Sequence, residues 1–235
     1  MKIALIFHRI TNEPKSWTDV STDNFIKFID VIAKNNHSKN KKNEIILTFD
    51  DGHDSDYYKV FPYLKKNNLI GYFFIITSRI DTEGYLTWNQ IKEMNKGGMI
   101  FGSHSHLHSN LKKLAYNDII RELRLSKKMI EKKLGAQVED IAYPFGQRNV
   151  ITDKAIINAG YKNIYCSAPG MISNSSFLKP RFSLHSKHEL HFIHNIININ
   201  HKSIFAKKIL YSFRALLKFL LPGSLYHYLK TSLYK

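Results

Sequence analysis

The sequence predicts an α/β domain in which short buried strands alternate with amphipathic crossover helices around a parallel sheet or barrel. Three observations carry that expectation. Apolar runs of strand length alternate with stretches whose apolar residues fall three and four apart. Carboxylates and histidines follow two of the strands, at the end where a barrel carries its chemistry. The 235 residues are 43% hydrophobic and 13% aromatic, enough apolar surface to offset the entropy of ordering one substantial core.

The elements read in order as follows. IALIF, near the N-terminus, is a first strand; Arg9 follows too soon for the apolar region of a signal peptide, and no small-residue cleavage site appears. KNNHSKNKKN (34–43) is a polar, basic connection. EIILTF, GYFFIIT, GGMIFGS and VEDIAYPF are the next strands. Between them YYKVFPYLKKNN, TWNQIKEMNKG and YNDIIRELRLSKKMIEKKLG have helical period, with Gly135 placed to end the longest helix. Five strand-and-crossover units are complete by Gly146, and there is no internal repeat.

Charge and cysteine content narrow the function. Cys166 is the only cysteine, so neither an intramolecular disulfide nor a thiolate metal site is available, and any metal must use histidine and carboxylate. A formal charge of +16 points to an anionic partner, although no nucleic-acid reading motif accompanies it and no specific nucleic acid is expected. From Leu190 to Lys235 there is no Asp or Glu. Within that stretch, SIFAKKILYSFRALLKFLL (203–221) has a narrow stripe of Lys207, Tyr211, Arg214 and Lys218, and a wide face of Phe205, Ile209, Phe213, Leu216, Leu217 and Leu220. Pro222 and Gly223 end it. Four basic residues in the segment, Lys207, Lys208, Arg214 and Lys218, suit a helix lying on an anionic membrane rather than spanning it; a cover for the barrel or a dimer contact is the alternative. Two regions follow: a catalytic domain over 1–200 and a basic amphipathic segment over 201–235. The expected compartment is the cytoplasm, with the inner face of the membrane as a peripheral site.

Chemistry concentrates in two places. EIILTF runs into Asp50, Asp51 and Gly52, placing two carboxylates at a strand end. Adjacent buried carboxylates repel, which is tolerable where one binds a cation and the other stays ionised as a base. GGMIFGS runs into His104, Ser105, His106, Leu107 and His108. In a helix His104 and His108 would share a face and His106 would point away; on an extended strand all three would share one. Periodicity leaves pair and triplet both open. Aspartate with histidines and no thiolate suits Zn²⁺ or a similar divalent ion, with positions left for water and substrate. Asp50 is placed to take a proton from that water.

TFDDG (48–52), SHSHLH (103–108) and AYPFG (142–146) resemble, in order and spacing, the first three motifs of the polysaccharide deacetylases, the NodB-homology domains of carbohydrate esterase family 4. IFHRI (6–10), GYFFI (71–75) and YLTWNQIKEMNKGGMIFGSHSHLHSNL (85–111) extend the likeness, which covers roughly residues 1–200. The resemblance implies a distorted, incomplete (β/α) barrel with Asp50 as catalytic base. One divalent metal, Zn²⁺ by preference, would be held by Asp51, His104 and His108. The backbone N–H of Phe145 would stabilise the oxyanion, Pro144 would stiffen its loop, and Tyr143 and Phe145 would wall a sugar groove. Two departures stand out. Ala142 occupies the place where many members carry an arginine that contacts the catalytic aspartate; Arg148 or Arg181 could supply the guanidinium, exposed surface charge being the plainer reading of each. For the late motif whose histidine protonates the leaving amine, Leu184 and His185 are the candidates, with His188, His191 and His194 close by.

The activity so implied is hydrolysis of an N-acetyl amino sugar, in a glycan or a lipid-linked or nucleotide-linked precursor, to a free amine and acetate. O-acetyl ester cleavage or another non-peptide amide hydrolysis is the nearest rival. A catalytically silent sugar-binding or membrane-associated scaffold is the rival of a different class.

Overall fold

The computed structural model describes residues 1–173 and 175–220, with the backbone alone for 213–220. The chain opens with β1 (Lys2–Phe7), followed by a two-residue parallel pair, β2 (Ile10–Thr11) and β3 (Val20–Ser21). α1 (Thr22–His37) starts at Ser21, whose hydroxyl accepts from the Asn24 N–H, and buries Phe25, Phe28, Ile29 and Ile32 at helical spacing. Its last turn takes in the first residues of the expected polar connection at 34–43. The end of that connection is not solvated: Asn43 is buried and donates from Nδ2 to the carbonyls of Ile197 (2.8 Å) and Ile199 (3.0 Å).

β4 (Glu44–Asp51) leads into a π-helical turn at Asp56–Val60 and then α2 (Phe61–Lys66), so the expected single helix is two pieces joined before Pro62. β5 (Gly71–Ile75) precedes α3 (Trp88–Lys96), opened by a reciprocal cap between Thr87 and Gln90. β6 (Ile100–Ser103) precedes α4 (Tyr116–Leu134), which Gly135 ends at φ 69°. β7 (Asp140–Ala142), α5 (Val150–Asn158), β8 (Asn163–Cys166), β9 (Leu178–Ser183) and α6 (Leu190–Ile197) complete the domain. β8 and β9 lie beyond the five units read from the sequence.

The strands close a parallel barrel in the order β1-β4-β5-β6-β7-β8-β9. Seven strands stand where the eightfold barrel would have eight, and the pairing is uneven. β1 and β4 share six registered pairs, Lys2↔Glu44 to Phe7↔Phe49, whereas β6 and β7 share only Ser103↔Ile141. Strand alternation sorts the side chains into two layers. Outward residues such as Phe7, Phe49 and Phe73 stack on one another and join the main core beneath the helices. Phe74, Ala142 and Tyr165 form a separate small cluster.

α7 (His201–Leu220) follows, with Ile204 buried in the main core and Phe205, Ile209, Leu210 and Tyr211 exposed. No helix among the described residues is long and apolar enough to cross a membrane. The side chains of Phe213, Arg214, Leu216, Leu217, Lys218 and Leu220, and the terminating Pro222 and Gly223, lie outside the described residues.

Close packing inside the barrel leaves a glycine its place. A Cβ on Gly102 would sit 2.7 Å from two Phe74 ring atoms and 2.8 Å from the Asp140 carbonyl oxygen. Gly102→Ala is therefore expected to cost about 1–3 kcal/mol of stability. Urea denaturation reads this directly, and an unchanged midpoint would contradict it.

Candidate active site

The site occupies the end of the barrel to which the strands point. Thr48 and Asp50 project from one face of β4, opposite to Leu47 and Phe49. A regular strand would send Asp51 away from Asp50. Its left-handed backbone (φ 80°) turns it back instead, so that both carboxylates approach His104 Nε2, at 4.0 Å for Asp50 Oδ2 and 3.5 Å for Asp51 Oδ1.

The histidine segment is neither helix nor strand. β6 stops at Ser103, and the chain turns through left-handed Ser105 (φ 66°) and His108 (φ 58°). Serine hydroxyls hold the loop: Ser103 Oγ accepts from the Ser105 N–H, and Ser105 Oγ accepts from the His108 N–H, each at 3.0 Å. The result is the pair arrangement. His108 Nε2 lies 3.6 Å from Asp51 Oδ1, while His106 Nδ1 is turned aside to Thr77 Oγ1, 2.9 Å away.

One ligand atom each from Asp51, His104 and His108 lie within 4.8 Å of one another, close enough to hold a single ion. Three further observations fit a divalent metal. Asp51 Oδ1 is buried and has no hydrogen-bond partner among the described residues. His104 Nδ1 is 2.9 Å from the Ala142 carbonyl oxygen, to which it donates, so Nε2 presents its lone pair to the cluster. Burial, reinforced by His104, pulls His108 down to about 4 against the opposing pull of Asp51, keeping the imidazole neutral as a ligand must be.

Asp50 is held differently. Arg181, on β9, is fully buried rather than exposed surface charge, and grips the carboxylate with two bonds, Nη1 to Oδ1 at 2.7 Å and Nη2 to Oδ2 at 2.8 Å. Nη1 also reaches Thr48 Oγ1 at 3.0 Å, and the guanidinium lies over the rings of Phe74 and Tyr165. Burial pushes the Asp50 carboxyl up, but Arg181, with His104 and His8, outweighs it and holds the group below its ordinary range. Burial likewise raises Asp51, and His53, His104, His8 and His108 together bring it well below the usual carboxylate range.

The remaining sequence candidates are spread around this centre. Arg148 does not reach Asp50; it pairs with Asp153, 40% of its side chain remaining exposed. Tyr143, expected to wall a sugar groove, is buried and donates its hydroxyl to the same Asp153. Pro144 opens a short 3₁₀ turn in which Phe145 is left-handed (φ 58°), exposed, and set against His108 with the rings tilted at 45° and their centroids 4.5 Å apart. Leu184 is fully buried, and His185 just beyond β9 stacks on His188 (4.8 Å) and meets the tilted ring of Trp17 (4.4 Å). Two neighbours had no part in the sequence reading of the site. His53 Nε2 stands 3.7 Å from Asp51 Oδ2, and His8, one residue past β1, is within electrostatic reach of Asp50, Asp51 and His104. Their signal was position: each follows the C-terminal end of a strand.

A family model described as polysaccharide deacetylase matches residues 37–164. The Bacillus subtilis (strain 168) protein YxkH is 33% identical over 129 residues, 55% of this chain and 46% of that protein. A Staphylococcus aureus poly-β-1,6-N-acetyl-D-glucosamine N-deacetylase is 29% identical over 160 residues, 62% of this chain and 55% of that protein. The chain thus spans about half the length of the curated relatives it matches. The structure of the Streptococcus pyogenes deacetylase PplD, in complex with acetate, superposes with a TM-score of 0.73 at 23% identity, covering 83% of this chain and 96% of that one, and shares its fold.

The buried ion pair generates a prediction with a pH signature. Arg181→Leu leaves Asp50 buried without its partner, at an expected cost of about 3–5 kcal/mol near pH 7. In the native protein the folded carboxyl titrates below its unfolded value. Its contribution is therefore complete above about pH 4 and is lost as pH falls through the lower folded value. In the variant, burial favours the protonated form, so the gap between the two proteins should narrow in acid. Urea melts of both at neutral pH and near pH 4 measure this, and equal stability at pH 7 would refute it.

Proposed function

The chain belongs to the polysaccharide deacetylase family, and we propose that it removes the N-acetyl group of an amino sugar in a glycan or glycan precursor, releasing acetate and leaving a free amine. One observation supports the reading above others: a carboxylate held ionised by Arg181 stands beside three ligand atoms within 4.8 Å of one another. The name of the Staphylococcus aureus relative specifies the same bond, an N-acetyl on glucosamine.

Each group then has a task. Asp51, His104 and His108 would hold a divalent ion, Zn²⁺ by the chemistry of the donor set. Such an ion acidifies water and polarises a carbonyl, so a base as weak as an arginine-bound carboxylate suffices. Asp50 accepts the proton of the attacking water on a carboxylate lone pair beyond the two that Arg181 uses, and the two-point grip fixes its orientation. The Phe145 N–H, on a peptide turned by the left-handed backbone, donates to the acetyl oxygen as charge builds there. His185, oriented by Trp17 and His188, delivers a proton to the departing amine. The same constellation could cleave an O-acetyl ester, which makes the acetylated atom the substrate property to test first.

Acetate release from matched N- and O-acetylated sugars, with and without a chelator, and metal analysis of variants test these roles together. Alanine at Asp51, His104 or His108 should strip both metal and activity, while His106→Ala should keep both. Loss of metal on His106→Ala with retention on His104→Ala would reverse the ligand assignment.

Asp50→Asn preserves shape without basicity, so it should keep its metal and lose roughly 10²-fold or more in turnover. Near-native turnover of that variant would assign the base elsewhere. Acetate release from the esters alone would replace the amidase reading.

A further inference from the structure

Where β1 and β4 finish, at the end of the barrel to which the strands point, lies an open polar pocket of about 300 Å³, lined by Arg9, Thr11, Asn12, Glu13, Lys15 and Lys59. Three of the six linings are cations and one is acidic. Five of them come from the segment that leaves β1, and the first, Arg9, directly follows His8, which is within electrostatic reach of the carboxylates of the site. Lys59 comes from the π-helical turn after β4. The pocket is therefore built from the same two strand ends that carry His8, Asp50 and Asp51.

Two of its cations, Lys59 and Arg9, are held in place without being neutralised in full. Lys59 Nζ is fixed by Asn12 Oδ1 and Thr22 Oγ1, each at 3.1 Å, both uncharged oxygens, and Thr22 in turn donates to Asn12 at 2.6 Å. Arg9 spends one Nη2 donor on Asp19 Oδ2 at 3.0 Å and retains the rest of its fork. Asp19 also accepts from the N–H groups of Lys15 and Ser16 at 2.9 Å, which ties down the loop that carries Lys15. A single carboxylate ligand would be served by one arginine fork. Two anchored cations, with Lys15 beside them, around a cavity with room for several water-sized groups suit an anion of higher charge.

We infer that this pocket takes a phosphate or diphosphate group carried by the substrate beside its N-acetyl sugar. The inference rests on the deacetylase reading of the neighbouring site and narrows its substrates to phosphate-bearing amino sugars, whether linked to a nucleotide or to a lipid.

Calorimetric titration of the metal-loaded, full-length protein with inorganic pyrophosphate tests the pocket without turnover. Lys15→Gln and Lys59→Gln should each weaken binding about tenfold, the usual effect of removing one charge-assisted hydrogen bond. Binding that is absent, or equal in wild type and both variants, would overturn the inference, since it would assign any signal to the metal centre. Kinetics supply the second arm, with a nucleotide-linked, a short-chain lipid-linked and a neutral oligomeric N-acetyl sugar. Both variants should raise KM about tenfold on a phosphate-bearing substrate at unchanged kcat, and leave the neutral one unaffected. A response confined to the nucleotide-linked or to the lipid-linked substrate identifies the carrier; an equal response with the neutral sugar overturns the inference. Lysine-dependent pyrophosphate binding in a protein that releases acetate from none of the three would fail the deacetylase reading and leave the anion pocket standing.

Discussion

The pair between Arg181 and Asp50 is the constraint around which the barrel interior is arranged. Removing both charges from water costs several kcal/mol per ion, which only close geometry and full hydrogen bonding can offset. The barrel provides the geometry and most of the bonding, with Arg181 Nε left without a hydrogen-bond partner among the described residues. Two short parallel bonds join the groups, Thr48 takes a further guanidinium donor, and the Phe74 and Tyr165 rings offer their faces to the cation. Small residues at Gly102 and Ala142 make room for those large rings, so the sequence of the inner layer follows from one buried charge.

Strain is placed with similar economy. Of the six non-glycine residues with positive φ among the described residues, Asp51, Ser105, His108 and Phe145 surround the site, and Asn68 and Asp81 lie elsewhere. Each such conformation costs on the order of 1–3 kcal/mol and survives where its surroundings overdetermine it. Here serine hydroxyls cap the histidine loop, and the strand before each strained residue is buried. The regular strands supply rigidity, and the departures from regularity aim the chemistry.

Much of this was legible in the residues. EIILTF and GGMIFGS read as strands because apolar runs of that length have no other economical home, and the charged residues after them marked the functional end. The histidine pair was not settled by spacing, since the loop that selects it depends on Ser103 and Ser105 hydroxyls and two left-handed residues, which no periodicity encodes. Arg181 was harder still. LKPRFS contains Lys179, Pro180 and Arg181, and a strand with two cations reads as surface until its partner, more than a hundred residues earlier, is known to face it. α1 has no counterpart among the elements read from the sequence, although Ser21 and the Phe25, Phe28, Ile29, Ile32 spacing mark it. The end of the basic run at 34–43 misled because Asn43 looks solvated in sequence, although it fastens the last helix of the barrel to the first strands.

The single registered pair between β6 and β7 gives His104 a second duty. Ser103↔Ile141 is all that the ladder contributes along that seam, and the next link is the imidazole itself, donating from Nδ1 to the Ala142 carbonyl. The ring that faces the candidate metal cluster is thus also a rivet across the least-stitched join of the barrel. A ligand that drew on its Nε2 would therefore pull on the seam as well, because one side chain serves both.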